Sequence, residues 1–211
     1  MKDLSKTYKL SDQGDLSWYL GISINHDREK GILTMGQEKY IDMLLDRFAM
    51  AEATTAPTPF EAGTRLLKEH CPNVQNPEQI KAYQQIVGGL MWVSTLTRPD
   101  ITFAVNQCAK FMSNPGPVHV QAAKRILRYL KGSKELCLTY RRDTPDPNTI
   151  IAYADADHAG DPDTRRSVTG YVLMMNGGAI AWQSTRQHVT ALSTAEAEYY
   201  SKRDRTRGHQ P

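Results

Sequence analysis

An aspartate inside an apolar run is the first residue that asks for a chemical reason. In IIAYADADHAG, Asp155 closes a strand-like stretch and Asp157 follows two positions later. Burying an unpaired carboxylate is costly, and coordination of a divalent metal is one way to offset that cost. The alternative is that the strand stops at Asp155 and both acids are solvated loop residues, and spacing alone does not separate the two readings. Further on, in LSTAEAEYY, Ser193 precedes Glu196 by three positions, a capping-box pattern that gives Glu196 a role at a helix start. Glu198 lies about 200° further round that helix, where Tyr199 and the apolar side turn it toward the preceding sheet. A first-strand aspartate and a glutamate on the following helix make half of a divalent-metal site.

The second candidate is a basic stripe. HVQAAKRILRYLKGS reads as an amphipathic helix with Val120, Ala123, Leu127 and Leu130 on one face and Lys124, Arg128 and Lys131 beside Arg125 on another. Between 119 and 142 the bases Lys124, Arg125, Arg128, Lys131, Lys134, Arg141 and Arg142 face one acid, Glu135. Such a stripe neutralises phosphates without reading bases, or it is simply a solvated helix face. His119 and His158 stand beside these motifs, read as surface residues, and receive no ligand role. Gly177-Gly178 reads as a strand turn and not a phosphate loop, since no helix start follows it.

The elements that must position these groups follow from periodicity. Residues 16–36 read as a hairpin, LSWYLGISI and ILTM around the polar NHDREKG, and GQEKYIDMLLDRFAM follows as a helix burying Tyr40, Ile41, Leu44, Leu45 and Phe48. Residues 53–79, with four prolines, read as an extended surface linker and the best internal boundary. Helices are predicted over 80–97, with Tyr83, Val87, Leu90, Met91 and Ser94 on its face, and over 100–112, with Ile101, Ala104, Val105, Cys108 and Met112; Arg98-Pro99-Asp100 separates them. After NPGP comes the basic helix, ended by Gly132, and then strands over 149–156, 166–175 and 179–187 with DPDT and NGG turns, an antiparallel meander.

Composition bounds the classes. The chain has 211 residues, 40% hydrophobic and 23% charged, which is ordinary for a folded domain or two small ones. Its 26 Lys and Arg against 23 acids give +3, too mild to announce nucleic-acid binding by itself. Cys71, Cys108 and Cys137 lack CxxC spacing, so neither a disulfide framework nor a zinc site is expected. MKDLSKTYKLSDQG has no signal-like apolar core and no run approaches a membrane span, so an intracellular location, cytoplasmic, nuclear or both, and no membrane partner are expected.

These residues reach a family. YADADHAGDPDTRRSVTGYVLMMNGGAIAWQSTRQHVTALSTAEAEYY resembles the start of the ribonuclease H domain of Ty1/copia-type retrotransposon Pol polyproteins. LTRPDITFAVNQCAKFMSNPGPVHVQAAKRILRYLKGS resembles the stretch joining reverse transcriptase to that domain, and GDLSWYLGISI with its helix resembles the primer-grip hairpin and thumb. The likeness covers about residues 10 to 200, with independent motifs in the family's order.

The resemblance implies an α+β fold: a thumb-like hairpin and helix over 1–52, the linker 53–79, a helical connection over 80–147, and a truncated ribonuclease H-like domain over 148–200, namely a three-strand meander plus the start of a helix. It matches Asp155 and Glu198 to metal-site acids and leaves Asp157 as a nearby acid. With two further acids these hold paired Mg2+, for which Mn2+ substitutes, and cut the RNA strand of an RNA–DNA hybrid. Trp18, Tyr19, Leu20 and Gly21 match the hairpin that supports the primer terminus; plain strand packing is the other account of these four. The basic helix is placed near a template-primer duplex, and other Pol segments are implied partners.

The pattern also breaks. The polymerase Tyr-x-Asp-Asp turn has no counterpart, and after Tyr200 the run SKRDRTRGHQP lacks an apolar stripe, so 201–211 reads as a non-family tail. Two of four metal-site carboxylates are expected, with weak or no metal binding. The expectation is a non-catalytic Pol segment; its rivals are a ribonuclease H completed by another chain and a non-enzymatic nucleic-acid-binding module.

Overall fold

The computed structural model describes residues 14–157, 163 and 166–187. The first strands are β1 (Trp18–Tyr19), β2 (Ile22–Asp27) and β3 (Ile32–Gly36), followed by helix α1 (Glu38–Arg47). Helices α2 (Pro77–Leu96), α3 (Thr102–Ala109) and α4 (Pro117–Gly132) follow, then β4 (Leu138–Arg141), β5 (Ile151–Asp157), β6 (Val168–Met175) and β7 (Gly178–Arg186). Helix and antiparallel sheet are mixed, an α+β chain. No helix among the described residues is long and apolar enough to cross a membrane.

LSWYLGISI is not one strand. Tyr19 pairs with Ile22, so Leu20-Gly21 is a two-residue turn, and both residues sit at positive φ, 50° and 81°. That pair of left-handed conformations matches the twist of a hairpin; Gly21 adopts it freely and Leu20 at some cost. Asn176-Gly177 does the same between β6 and β7, with φ of 53° and 81°. There the sequence signal is the strong one, an Asn-Gly pair between alternating strands.

Helix α2 starts three residues before the predicted 80. Asn76 Oδ1 accepts from the Glu78 and Gln79 amides at 3.0 and 3.2 Å, and Pro77 stands at the first helical position, where a missing N–H costs nothing. Its buried face is Tyr83, Ile86, Val87, Leu90, Val93 and Ser94, whereas Met91 is exposed. The helix predicted over 100–112 is shorter: Pro99–Ile101 forms a 3-10 turn, α3 ends at Ala109, and Phe111, Met112 and Asn114 close tight three-residue turns. Four prolines do not make 53–79 a free linker. Ala56 and Leu66 are buried, the Ala56 amide donates to the Arg128 carbonyl, and Lys68–His70 forms a 3-10 turn, so the segment is a strap against α4.

One apolar core unites α1 to α4, with Val87, Leu90, Val93, Ile101, Cys108, Ala123, Ile126, Leu127 and Leu130 at 0% exposure. The helices are inserted between two adjacent strands, because β4, which was not expected, pairs antiparallel with β3 from Ile32↔Arg141 to Met35↔Leu138. The expected boundaries 1–52 and 80–147 are therefore crossed by one sheet, β1-β2-β3-β4, while β5-β6-β7 forms the meander.

Two groups with opposite expectations meet in this core. His119 is 0% exposed: its ring stacks on Phe111 at 3.9 Å, and Nδ1 accepts from the Gly116 amide at 2.8 Å. A surface reading fails because the imidazole closes the start of α4 and fills the space over Phe111. Arg98 is 2% exposed; its guanidinium grips Asp100 and donates to the Ser133 carbonyl at 2.8 Å and Oγ at 2.7 Å. Among the cysteines, Cys108 is buried, Cys71 half-buried and Cys137 exposed, and all three are free.

Candidate functional site

Alternation along β5 decides what Asp155 faces. Side chains two apart share a face, so Ile151, Tyr153, Asp155 and Asp157 lie on one side and Ala152, Ala154 and Ala156 on the other. The register carries that face across the sheet: Tyr153 pairs with Val172 and on to Trp182, Asp155 with Gly170 and on to Ser184, Asp157 with Val168 and on to Arg186. Gly170 places no side chain beside Asp155; a Cβ there would meet nothing nearer than the Gln183 carbonyl oxygen at 4.0 Å. The gap left at Gly170 adjoins Asp155, which is exposed, as is Asp157.

That space is a cavity of about 800 Å³ between the meander and the helical layer. Pro99, Thr102 and Phe103 form one wall, Tyr153, Val172 and Trp182 the other, and Asp155 and Asp157 lie at its acidic end. The meander is held to the helices and to β4 by side chains that reach backbone carbonyls. Trp182 Nε1 donates to Ser94 at 2.7 Å, Tyr140 Oη to Ala179 at 2.6 Å, and Asn106 Nδ2 to Ser184. Gly178 permits the approach, since a Cβ would stand 2.6 Å from the Tyr140 ring and 2.8 Å from the Thr139 carbonyl oxygen. Burial raises the Tyr140 phenol above its ordinary pKa, so it donates throughout the physiological range. Phe103 and Trp182 were not among the expected site residues, although the alternation in AIAWQST could have placed Trp182 on the Asp155 face.

The acids are of the right type for a hard cation, but their number is short. Successive same-face positions lie roughly 7 Å apart along a strand, so Asp155 and Asp157 do not by themselves close round one octahedral ion. Among the described residues no group of three or more His, Cys, Asp or Glu is placed to hold a metal. Asp155 Oδ1 accepts from the Ala156 amide at 2.9 Å. Glu198, Ser193, Glu196 and His158 lie outside the described residues.

The basic stripe is turned to the strap. Arg125 meets Glu61 at 3.3 Å and Thr58 Oγ1 at 3.2 Å, Arg128 Nε donates to the Thr54 carbonyl, and Lys131 Nζ donates to the Ala53 carbonyl at 3.0 Å. Lys134, from the same basic excess, pairs with Asp42 of α1 at 3.0 Å. Lys124 is exposed and has no hydrogen bond or ion pair among the described residues. The hairpin tip is also exposed: Trp18 43%, Tyr19 56% and Leu20 60%, with Lys39 Nζ 5.0 Å above the Trp18 ring. The cavity acids, the stripe and the tip lie on three different elements, β5, α4 and the β1–β2 hairpin.

A helical layer inserted into one antiparallel sheet, with a second meander presenting an aspartate at its face, defines an α+β class of chain. Sequence comparison supplies the family. The chain is 42% identical over 200 residues to the retrovirus-related Pol polyprotein from transposon TNT 1-94 of Nicotiana tabacum, which covers 93% of this chain and 15% of that protein. It is 30% identical over 199 residues to the putative transposon Ty5-1 protein YCL074W of Saccharomyces cerevisiae, covering 94% of this chain and 63% of that one. It is 31% identical over 198 residues to the uncharacterized mitochondrial protein AtMg00810 of Arabidopsis thaliana, 78% of whose length it covers. The chain belongs to the Ty1/copia-type retrotransposon Pol family. It spans about a seventh of the length of the TNT 1-94 polyprotein. No protein-family model and no solved structure matches it.

Proposed function

We propose that these 211 residues form the joint between reverse transcriptase and ribonuclease H in a retrotransposon Pol, and contribute Asp155 and Glu198 to a ribonuclease H centre. The observation that supports this reading most is the placement of Asp155: a strand carboxylate beside a glycine, on the face of a three-strand meander that also carries Trp182, at the rim of an aromatic cavity. In this reading Mg2+ or Mn2+ supplies the activated water and the stabilisation of the leaving oxygen when it is bound. Asp155 holds its carboxylate forward, the Ala156 amide steadies one oxygen, and Asp157 adds negative charge at the same end. Glu198 is the second ligand, brought by the segment that follows β7. Two acids make a weak site, so the chain by itself binds RNA–DNA hybrid without cutting it.

The exposed hairpin tip and Lys124 are surfaces that would meet a duplex, and Arg125, Arg128 and Lys131 add charge from beneath the strap. Binding of this kind is directed at phosphates and weakens with salt. Cleavage of a labelled hybrid in Mg2+ or Mn2+, and binding from low to physiological salt, test both halves. The reading expects salt-dependent binding and no cleavage; salt-independent binding, or no binding by the folded chain, overturns it.

A further inference from the structure

The strap and the basic helix enclose a second cavity, of about 440 Å³, within the range of small-ligand pockets. Its floor is apolar: Met50 and Ala122 are buried, Phe60 is half-buried, and Val118 stands at the mouth with 38% exposure. Phe60 is held edge-on against Phe103 with ring centres 5.6 Å apart, so one side of its ring is fixed. The rim carries Lys124, Arg125 and Arg128 against one acid, Glu61, which Arg125 neutralises. Val118, Ala122, Arg125 and Arg128 recur at helical spacing and so line one wall. The strap alone leaves Lys124 unpartnered among the described residues and leaves Arg125 Nε buried without a hydrogen bond.

A flat apolar floor beside an excess of cations suits a ligand that is aromatic at one end and anionic at the other. We propose that this cavity binds a nucleoside monophosphate unit, its base over Phe60, Met50 and Val118 and its phosphate at Lys124 and Arg128. The unit comes either from a free nucleotide or from an unpaired nucleotide of a strand, and the chemistry is the same for both. The site shares no lining residue with the Asp155 cavity, which the Phe60–Phe103 pair adjoins, and needs none of its chemistry. It also gives Arg125 and Arg128, which contact the strap, an anion to meet beside Lys124. A paired duplex presents phosphates but no free base, so this cavity discriminates against it.

The test uses the full chain, with adenosine 5′-monophosphate, adenosine and ribose 5-phosphate as free probes in calorimetry. RNA–DNA hybrids with one bulged adenosine or with none are compared by anisotropy. Val118→Trp fills the mouth and Lys124→Glu reverses an exposed charge; thermal melts show that each variant is folded. Saturable binding of the monophosphate, at least tenfold tighter than either half alone and weakened at least tenfold by both variants, supports the site. Preference for the bulged hybrid over the paired one, lost in the same variants, supports it equally and names the strand as the source. If neither probe shows these preferences, or if Lys124→Glu and every folded filling variant leave them within twofold, the proposal is wrong. Paired-hybrid binding that survives in Val118→Trp keeps the joint reading intact even then.

Discussion

Arg98→Met removes the guanidinium that ties the 3-10 turn at Pro99 to the end of α4, and so loosens the wall that faces Asp155. In the folded chain Nε and one terminal nitrogen grip Asp100 at 2.9 and 2.7 Å, and the Ser133 carbonyl and hydroxyl accept two further N–H groups. The guanidinium also lies 5.6 Å from the Tyr129 ring centre. Removing one member of a buried ion pair costs about 3–5 kcal/mol, because its partner stays behind uncompensated. Asp100 keeps the Tyr129 hydroxyl at 2.8 Å, and its side chain is 34% exposed, so water compensates part of the loss. About 3 kcal/mol is the expected cost. With a urea slope of roughly 2 kcal/mol per molar, the unfolding midpoint falls by about 1.5 M.

Acid gives an independent check on the same pair. Burial acts to raise the Asp100 carboxyl, while its bonds to Arg98 and Tyr129 lower it more, so the folded value lies below the ordinary one. Its contribution is complete above the unfolded carboxylate pKa, about 3.9, and is lost as the pH falls through the lower folded value. That acid-side loss should shrink in Arg98→Met. A midpoint shift corresponding to less than about 1 kcal/mol, with the acid limb unchanged, would refute the argument that this pair organises the junction.

Further outcomes follow from the same structure. Burial holds the His119 imidazole below its ordinary pKa, so stability is complete above the unfolded value of about 6.5 and falls as the pH drops below it. Urea midpoints between pH 7 and 5 should show that slope, at most about 1.4 kcal/mol per pH unit, and His119→Gln should flatten it. Gly178→Ala should cost about 1–3 kcal/mol by pushing the β6–β7 hairpin off Tyr140, seen as faster amide exchange in β6 and β7. Tyr140→Phe should cost about 1 kcal/mol, the value of one hydrogen bond. Lys124→Glu should weaken hybrid binding and lower the slope of log affinity against log salt by about 1, read by anisotropy.

The parts that sequence made legible are those governed by local rules. Helical spacing found the buried stripes of α1 and α4, and alternation gave the meander; NGG gave the turn between β6 and β7, but Asn176-Gly177 forms it and Gly178, read as part of the turn, begins β7. Long-range pairing was not legible: nothing local in Leu138–Arg141 tells that it joins β3, some hundred residues earlier, because the ladder depends on how the helical insert packs. Leu20 hid a turn, since a leucine at φ 50° breaks the usual preference for glycine or asparagine there. His119 was misread because a polar residue beside a turn is usually solvated, and only Phe111 in three dimensions explains its burial. At the candidate site Asp155 stood out as a charge in an apolar strand. Phe103 and Trp182 did not, because their shared cavity exists only once the meander docks on α3.

In the proposed function Asp155 and Glu198 serve a ribonuclease H centre that needs further carboxylates to cut. The most direct measurement is cleavage of a labelled RNA–DNA hybrid in Mg2+ or Mn2+ by the folded chain, beside its Asp155→Asn and Glu198→Gln variants. Salt-dependent binding by all three proteins and cleavage by none is the expected result. Cleavage by the unmodified chain that disappears in both variants would contradict it, showing that two carboxylates are enough.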